Sequence, residues 1–373
     1  MIIHHQERVI PSAPPLIRLL EAASQDRTDL TLASLPPGQI RWAVESGLGP
    51  WLRRCTANDP DAAASPLWPL VHSADLTARV IAGEQLDAMD EVARVCEDHA
   101  TSVTLLKGIS ICEQYYPEPH LRVMRDIDLL IDEDRIPAIE SRLLELGYVR
   151  MSENPPAFYE THHHTAPFFH PHRRVWLELH RQLLPSNCLG GWAGMFGLEA
   201  IRSQLRPSFF RGRPVNRLSD ELQLLYLAVH WAFGLQRVGG MVGMLDVSRI
   251  LNSAPHLGWE RILGWLDGSS STYLCLLLTY LDGRHLAHIE PGILREVYSR
   301  QRSFGAMNLA ALHAVIDRYV VDGRESRFLM SARNFPIVWQ NLLEPRRPSL
   351  NALMLLWRLL PSRAWFSSLR RPR

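Results

Sequence analysis

The sequence predicts an α+β protein in which a small mixed β-sheet core is flanked by N- and C-terminal helical regions. Three observations carry that expectation. Apolar residues recur at helical spacing up to about residue 100 and again after Ser219. Between those regions, two short runs alternate apolar and polar residues with the period of a half-buried strand. The chain has 373 residues, more than one hydrophobic core usually serves. The changes of texture place an N-terminal helical region at 1–95, a mixed α/β core at 96–215 and a C-terminal helical domain at 216–373.

The elements follow in order. Leu16, Leu19, Leu20 and Ala23 form one helical stripe, and Leu86, Met89, Val92, Val95 and Cys96 form another. Pro36-Pro37-Gly38, Gly47 to Pro50 and Asn58 to Pro69 interrupt the region between them. Val103 to Leu106 is a β-prone run ending at Gly108, and 109–116 reads as a helix stopped by Pro117 and Pro119. Arg125 to Asp132 alternates as a strand. Residues 134–147 return to helix, with Ile136, Ile139, Leu143 and Leu144 on one side and Gly147 at the end. Val175 to His180 alternates again. Helical stripes then run through Leu222, Leu225, Tyr226 and Val229, through Ile250, Ile262, Leu263 and Leu266, through 273–281 and through 349–360.

Composition excludes several classes. Hydrophobic residues make up 46% and charged residues 21%, so the chain is not disordered throughout. Forty basic residues against 39 acidic leave a net charge of +1, which disfavours wrapping of nucleic acid or of an anionic membrane. Apolar runs of about nine residues, such as Tyr273 to Leu281, fall far short of the roughly 20 that span a bilayer. No export signal opens the sequence, and the basic end Leu369 to Arg373 reads as a frayed tail. Five scattered cysteines without a CxxC pair fit a reducing compartment, so a cytoplasmic location is expected. Among the 40 basic residues only Lys107 is a lysine. An ammonium on a flexible stem differs chemically from a guanidinium, which draws attention to its surroundings.

Three segments of the core carry chemistry. In Leu105-Leu106-Lys107-Gly108-Ile109-Ser110 a strand turns through glycine into a helix, a geometry that can face phosphate, with Lys107 adding charge. In Asp126-Ile127-Asp128 the two acids share one strand face, about 6.6 Å apart along the chain, while Ile127, Leu129 and Ile131 face the core. Neighbouring carboxylates repel unless a cation sits between them, and Mg²⁺ takes carboxylates and phosphates together. A solvated edge strand with acids as aggregation blockers is the alternative. Val175-Trp176-Leu177-Glu178-Leu179-His180 sets Glu178 and His180 on one face. If this strand lies beside the first, Glu178 completes a three-carboxylate cluster.

The segments LLKGIS, YYPEPHLRVMRDIDLLID, LGY, HHH and LELH together resemble the uncharacterised nucleotidyltransferases of the polymerase-β-type superfamily. The resemblance covers about residues 85–250 and implies a minimal nucleotidyltransferase mixed-sheet core. It implies that Asp126, Asp128 and Glu178 are catalytic and hold Mg²⁺, with Mn²⁺ able to substitute. It implies that Gly108 and Ser110 hold the triphosphate of an NTP; Lys107, at the same turn, is a candidate to contact either a phosphate or Asp126 and Asp128 in the empty protein. Ile109 separates Gly108 from Ser110 where the superfamily has adjacent small residues. Arg122 precedes the acids and is a candidate for phosphate or for a structural ion pair. His163, His164 and His180 are candidates for the pocket. A transition-metal site among His162 to His180 is conceivable, but three consecutive histidines cannot all face one ion on an extended chain. His230, Trp231 and Asp246 match an HW…D pattern, with Arg237 or Arg249 as candidate partners of Asp246.

These readings point to a nucleotidyltransferase acting on a hydroxyl of a small-molecule, peptide or protein acceptor. The alternatives are a non-catalytic nucleotide-sensing or partner-binding protein, and a phosphotransferase or hydrolase using the same metal site.

Overall fold

A computed structural model describes residues 15–185, 195–234, 240–301 and 305–321, apart from 153, 255 and 267. The helix expected over 349–360, the basic tail, Cys188 and Arg237 lie outside the described residues. The chain opens with helices α1 (Pro15–Ser24), α2 (Pro37–Glu45), α3 (Gly49–Cys55) and the long α4 (Trp68–Asp98). Breaks fall at the Pro/Gly clusters read from the sequence. Pro37, Pro50 and Pro69 each sit at the first or second position of their helix, where a missing N–H is not needed.

The core follows: β1 (Val103–Leu105), α5 (Lys107–Ile111), β2 (Asp126–Ile131), α6 (Ile136–Glu145), β3 (Val149–Arg150), α7 (Pro156–Glu160), β4 (Phe168–His170), β5 (Val175–His180), α8 (Leu198–Arg202), β6 (Leu205–Phe210) and β7 (Arg213–Leu218). Its sheet of seven described strands has the order β3-β4-β5-β2-β1-β7-β6. The sheet is mixed: β2 runs parallel to β5 and β1 parallel to β7, while the other pairs are antiparallel. Four strands were not legible in the hydrophobic pattern. Two of these, β6 and β7, form a hairpin around Arg211-Gly212, both at positive φ (47° and 84°), the geometry of a tight two-residue turn. Pro207 and Pro214 mask these strands in sequence; β6 lies at the sheet edge, where proline is tolerated.

Helices return with α9 (Asp220–Gly234), α10 (Gly240–Ser253), α11 (Trp259–Trp265), α12 (Gly268–Gly283), α13 (Pro291–Arg300) and α14 (Ala306–Val315), the last running into a π-turn at Ile316–Val321. The protein is thus α+β with helical regions on both sides of a mixed sheet.

Two apolar clusters organise the packing. One sheet face contributes Val103, Leu105, Ile127, Leu129, Ile131, Val175, Leu177 and Leu179, and packs on the C-terminal half of α4 and on α6. The second cluster joins α1–α3 to α9–α14, so the two helical flanks share one core. Because β-strand side chains alternate, burying the odd-numbered residues of β2 and β5 turns Asp126, Asp128, Glu178 and His180 to the other face. Helix α6 stops as expected at Gly147 (φ 93°), where the N–H groups of Gly147 and Tyr148 close onto Leu144 and Leu143.

Candidate active site

The parallel pairing of β2 with β5 sets the site. Its register aligns Asp128 with Glu178, Asp126 with Trp176 and Leu130 with His180. Residues some fifty positions apart in sequence therefore project from adjacent rungs of one sheet face. Asp128, Glu178 and His180 each offer a ligand atom, all within 4.8 Å of one another.

Asp128 is the hub. Its Oδ1 accepts hydrogen bonds from Lys107 Nζ at 2.7 Å and His180 Nε2 at 2.8 Å. Glu178 Oε2 lies 3.6 Å from His180 Nε2 and 3.8 Å from His164 Nε2. Burial alone would raise the Asp128 carboxyl, but Lys107 and His180 overcome it and hold that group far below the ordinary range. Burial likewise opposes ionisation of Glu178; the contacts with His180 and His164 together outweigh it, and the pKa is lowered. Lys107 and His180 are both raised, since their carboxylate partners outweigh desolvation.

Asp126 is different. Burial and the neighbouring Asp128 charge raise it to about 7, and among the described residues no side chain donates it a hydrogen bond. A half-buried acid beside an ionised acid, without a donor of its own, is a site short of positive charge. Asp128 and Glu178 converge with His180, and Asp126 adds a third carboxylate on the same sheet face; carboxylate oxygens of this kind suit a hard divalent cation. The residues present fit such an ion.

Lys107 is held in place by its backbone as well. It opens α5 at φ 46°, in the left-handed region where a non-glycine residue costs about 1–2 kcal/mol. That conformation turns the chain from β1 into α5 beside β2, where Leu106 N–H donates to Asp128 O. Outliers of this kind gather at functional sites.

Ser110 sits elsewhere than the resemblance implies, and Arg122 makes the ion pair that was one of its two readings. Ser110 is fully buried; its hydroxyl faces Gln223 Oε1 at 3.4 Å and its carbonyl accepts from Arg217. It is consumed by packing and closed to a phosphate. Arg122 makes a bidentate pair with Asp246, at 2.7 and 2.8 Å, and is thereby structural. Asp246 also accepts from Tyr116 Oη at 2.5 Å, so its partner is Arg122, while Arg249 donates to the carbonyl of Tyr115. Gly108 is required by close approach: a Cβ there would stand 2.7 Å from Met124 Cγ.

The histidine loop also departs from expectation. Residues 161–163 bend instead of extending, and His164 forms an isolated bridge with His180. The three consecutive imidazoles therefore gather, with ring centroids 4.2, 4.4 and 4.6 Å apart. His163 and His164 also approach His180, at 5.2 and 5.3 Å.

The far wall comes from α9; His230 was singled out in the sequence, and Tyr226 was missed. Tyr226 is fully buried, its hydroxyl has no hydrogen-bond partner among the described residues, and its phenol feels Lys107 and all three carboxylates. His230 follows one turn later, and burial and Lys107 push it down to about 3. A tyrosine and a histidine one turn apart in an otherwise apolar helix were the available signal. Trp231 is core, donating to Gly240 O.

The family model described as "Uncharacterised nucleotidyltransferase" matches residues 38–281, about two thirds of the chain. The chain belongs to this uncharacterised nucleotidyltransferase family. The match reaches well beyond residues 85–250, into the helices of both flanks. Among solved structures, the chain is similar to an antigenic nucleotidyltransferase-like protein from Paracoccidioides brasiliensis, with a TM-score of 0.36, 15% identity, and coverage of 59% of this chain and 94% of that one. No curated protein matches the chain. In this nucleotidyltransferase-family chain no described helix is long and apolar enough to cross a membrane.

Proposed function

We propose that the chain transfers a nucleoside monophosphate from an NTP to a hydroxyl of a small-molecule, peptide or protein acceptor in the cytoplasm, using Asp126, Asp128 and Glu178 around an Mg²⁺-class ion. The observation that carries this reading is the register of β2 against β5, which assembles three acids from distant segments on one sheet face. Family membership supports it independently.

Asp126, Asp128 and Glu178 would hold the ion, which when bound neutralises carboxylate and phosphate charge together. Lys107 balances the buried charge of Asp128 and offers the ammonium nearest the carboxylates to the triphosphate. Glu178, ionised and partly open to solvent, accepts the proton of the acceptor hydroxyl. The acceptor oxygen forms a bond to the α-phosphorus as the bond to the β-phosphate oxygen breaks, and pyrophosphate leaves. His180 orients Asp128 and Glu178 through its Nε2. Tyr226 closes the far side, its buried hydroxyl unpaired among the described residues. The near-neutral charge of the chain favours an acceptor other than nucleic acid.

The test is thermal-shift binding of each NTP with Mg²⁺, on wild type and on an Asp126→Asn/Asp128→Asn double variant. A Mg²⁺-dependent rise in melting temperature in wild type alone supports the reading and names the base for acceptor screening. An equal rise in both proteins puts the nucleotide elsewhere and refutes it, and no rise with any nucleotide transfers the weight to partner binding. NTP labelled at the α- or γ-phosphate then separates nucleotidyl transfer from phosphotransfer or hydrolysis.

A further inference from the structure

We propose that His162, His163 and His164 form a second cation site, one that takes a transition-metal ion of the Zn²⁺ class instead of the hard ion assigned to the carboxylates. The inference goes beyond the nucleotide reading and does not depend on it.

One nitrogen from each of the three rings can be chosen so that all lie within 4.8 Å of one another. A tetrahedral Zn²⁺ with Zn–N bonds of 2.0–2.1 Å spaces its nitrogens about 3.3 Å apart, so a modest closing of the cluster suffices. Nδ1 of His162 and Nδ1 of His163 already face each other at 2.9 Å. Both nitrogens cannot carry hydrogen at that separation, so at least one lone pair points into the cluster.

The loop is built to hold this arrangement. His163 O accepts from the backbone N–H of Arg181 at 2.9 Å and of Gln182 at 3.2 Å. The Thr165 backbone N–H donates to Leu179 O, and His164 bridges His180. These bonds tie the loop to the end of β5. His164 Nδ1 donates to Thr165 O at 2.7 Å, which fixes its tautomer and leaves Nε2 as the free ligand atom.

Donor chemistry separates the two sites. Imidazole suits Zn²⁺, Cu²⁺ and Ni²⁺, whereas carboxylates suit Mg²⁺ and Mn²⁺. Three protein ligands leave a fourth position open, the pattern of a catalytic site and not of a closed structural one. The nearest carboxylate is Glu178, 3.8 Å from His164 Nε2. An ion on the triad would thus sit beside the proposed proton acceptor and can polarise an incoming acceptor group.

The experiment uses the full chain without an affinity tag of histidines. Co²⁺ is titrated into wild type, His162→Gln/His163→Gln and Asp126→Asn/Asp128→Asn, with the visible d–d bands and Zn²⁺ competition as readouts. A tight Co²⁺ with strong d–d bands, displaced by Zn²⁺ and separate from any weaker ion on the carboxylates, retained in the aspartate variant and weakened about 100-fold or more in the histidine variant, is the expected result, since loss of a single outer-shell partner already weakens metal sites 10–100-fold. Uptake lost in the aspartate variant and kept in the histidine variant would place the ion on the carboxylates and overturn the proposal. So would absence of uptake by folded wild type. Zn K-edge absorption of wild type needs no variant: scattering from three imidazoles supports the triad, and from one or none refutes it. Nucleotide binding on the aspartates can fail while the Co²⁺ bands persist, so the two readings fall separately.

Discussion

Replacing Asp126 by Asn should stabilise the ion-free protein, and only above a defined pH. The folded carboxyl titrates near 7, whereas an unfolded aspartate titrates near 3.8. Between those values the folded chain holds a proton that the unfolded chain has lost. Wild-type stability therefore falls as pH rises through the window and levels off above it. About 3 pH units at about 1.36 kcal/mol each set a ceiling of about 4 kcal/mol on this loss. Asn carries no charge to bury, so the variant-minus-wild-type difference should grow by about 2–4 kcal/mol between about pH 4 and pH 8. Urea unfolding of both proteins in chelator, across that range, measures it. Saturating Mg²⁺ at pH 8 should then raise wild type toward the variant and leave the variant unmoved. A difference that stays flat with pH, or that favours wild type at pH 8, would refute the account of Asp126 as an acid lacking its cation.

Other perturbations read neighbouring parts of the same structure. Lys107→Met removes the ammonium 2.7 Å from Asp128 and should destabilise the chain by about 3 kcal/mol in denaturant unfolding; a loss under about 1 kcal/mol would mean that the pair is open to water. Asp246→Asn strands the Arg122 guanidinium and should lose about 3–5 kcal/mol, with Arg122→Met/Asp246→Leu recovering most of it in the same assay. Gly108→Ala drives a methyl to 2.7 Å from Met124 Cγ and should lose about 1–3 kcal/mol, and a Met124→Ala background should relieve part of that penalty in a double-mutant cycle.

Much of the sheet was legible because its central strands obey a simple alternation. Ile127, Leu129 and Ile131 had to be buried, so Asp126 and Asp128 had to share the opposite face, and Leu177 and Leu179 fixed Glu178 and His180 in the same way. That β2 and β5 would lie side by side was not legible, since pairing between segments fifty residues apart leaves no local trace. The hairpin β6–β7 was missed because Pro207 and Pro214 read as breakers, although Arg211-Gly212 carried the turn signal. The 109–116 helix shortened to Lys107–Ile111, since Tyr115 and Tyr116 are drawn instead to Asp220 and Asp246. Ser110 was misplaced, and the choice between phosphate and ion pair at Arg122 was left open, for a related reason. Their partners Gln223 and Asp246 lie more than a hundred residues downstream. Tyr226 hid within an apolar stripe, where its hydroxyl looked like one more core position.

The bidentate clasp of Arg122 on Asp246 also has a consequence in time. The two residues are 124 positions apart, and at a synthesis rate of about 5–20 residues per second roughly 6–25 s pass before the second follows the first from the ribosome. The DID strand, its sole lysine and the partner strand carrying Glu178 are all made before the carboxylate that anchors the segment leading into them. Arg249, which seats the Tyr115 carbonyl 134 residues earlier, arrives at the end of the same interval. The nascent chain must therefore carry its acidic cluster unanchored until α10 has been made, and a fragment that stops short of Asp246 never leaves that condition.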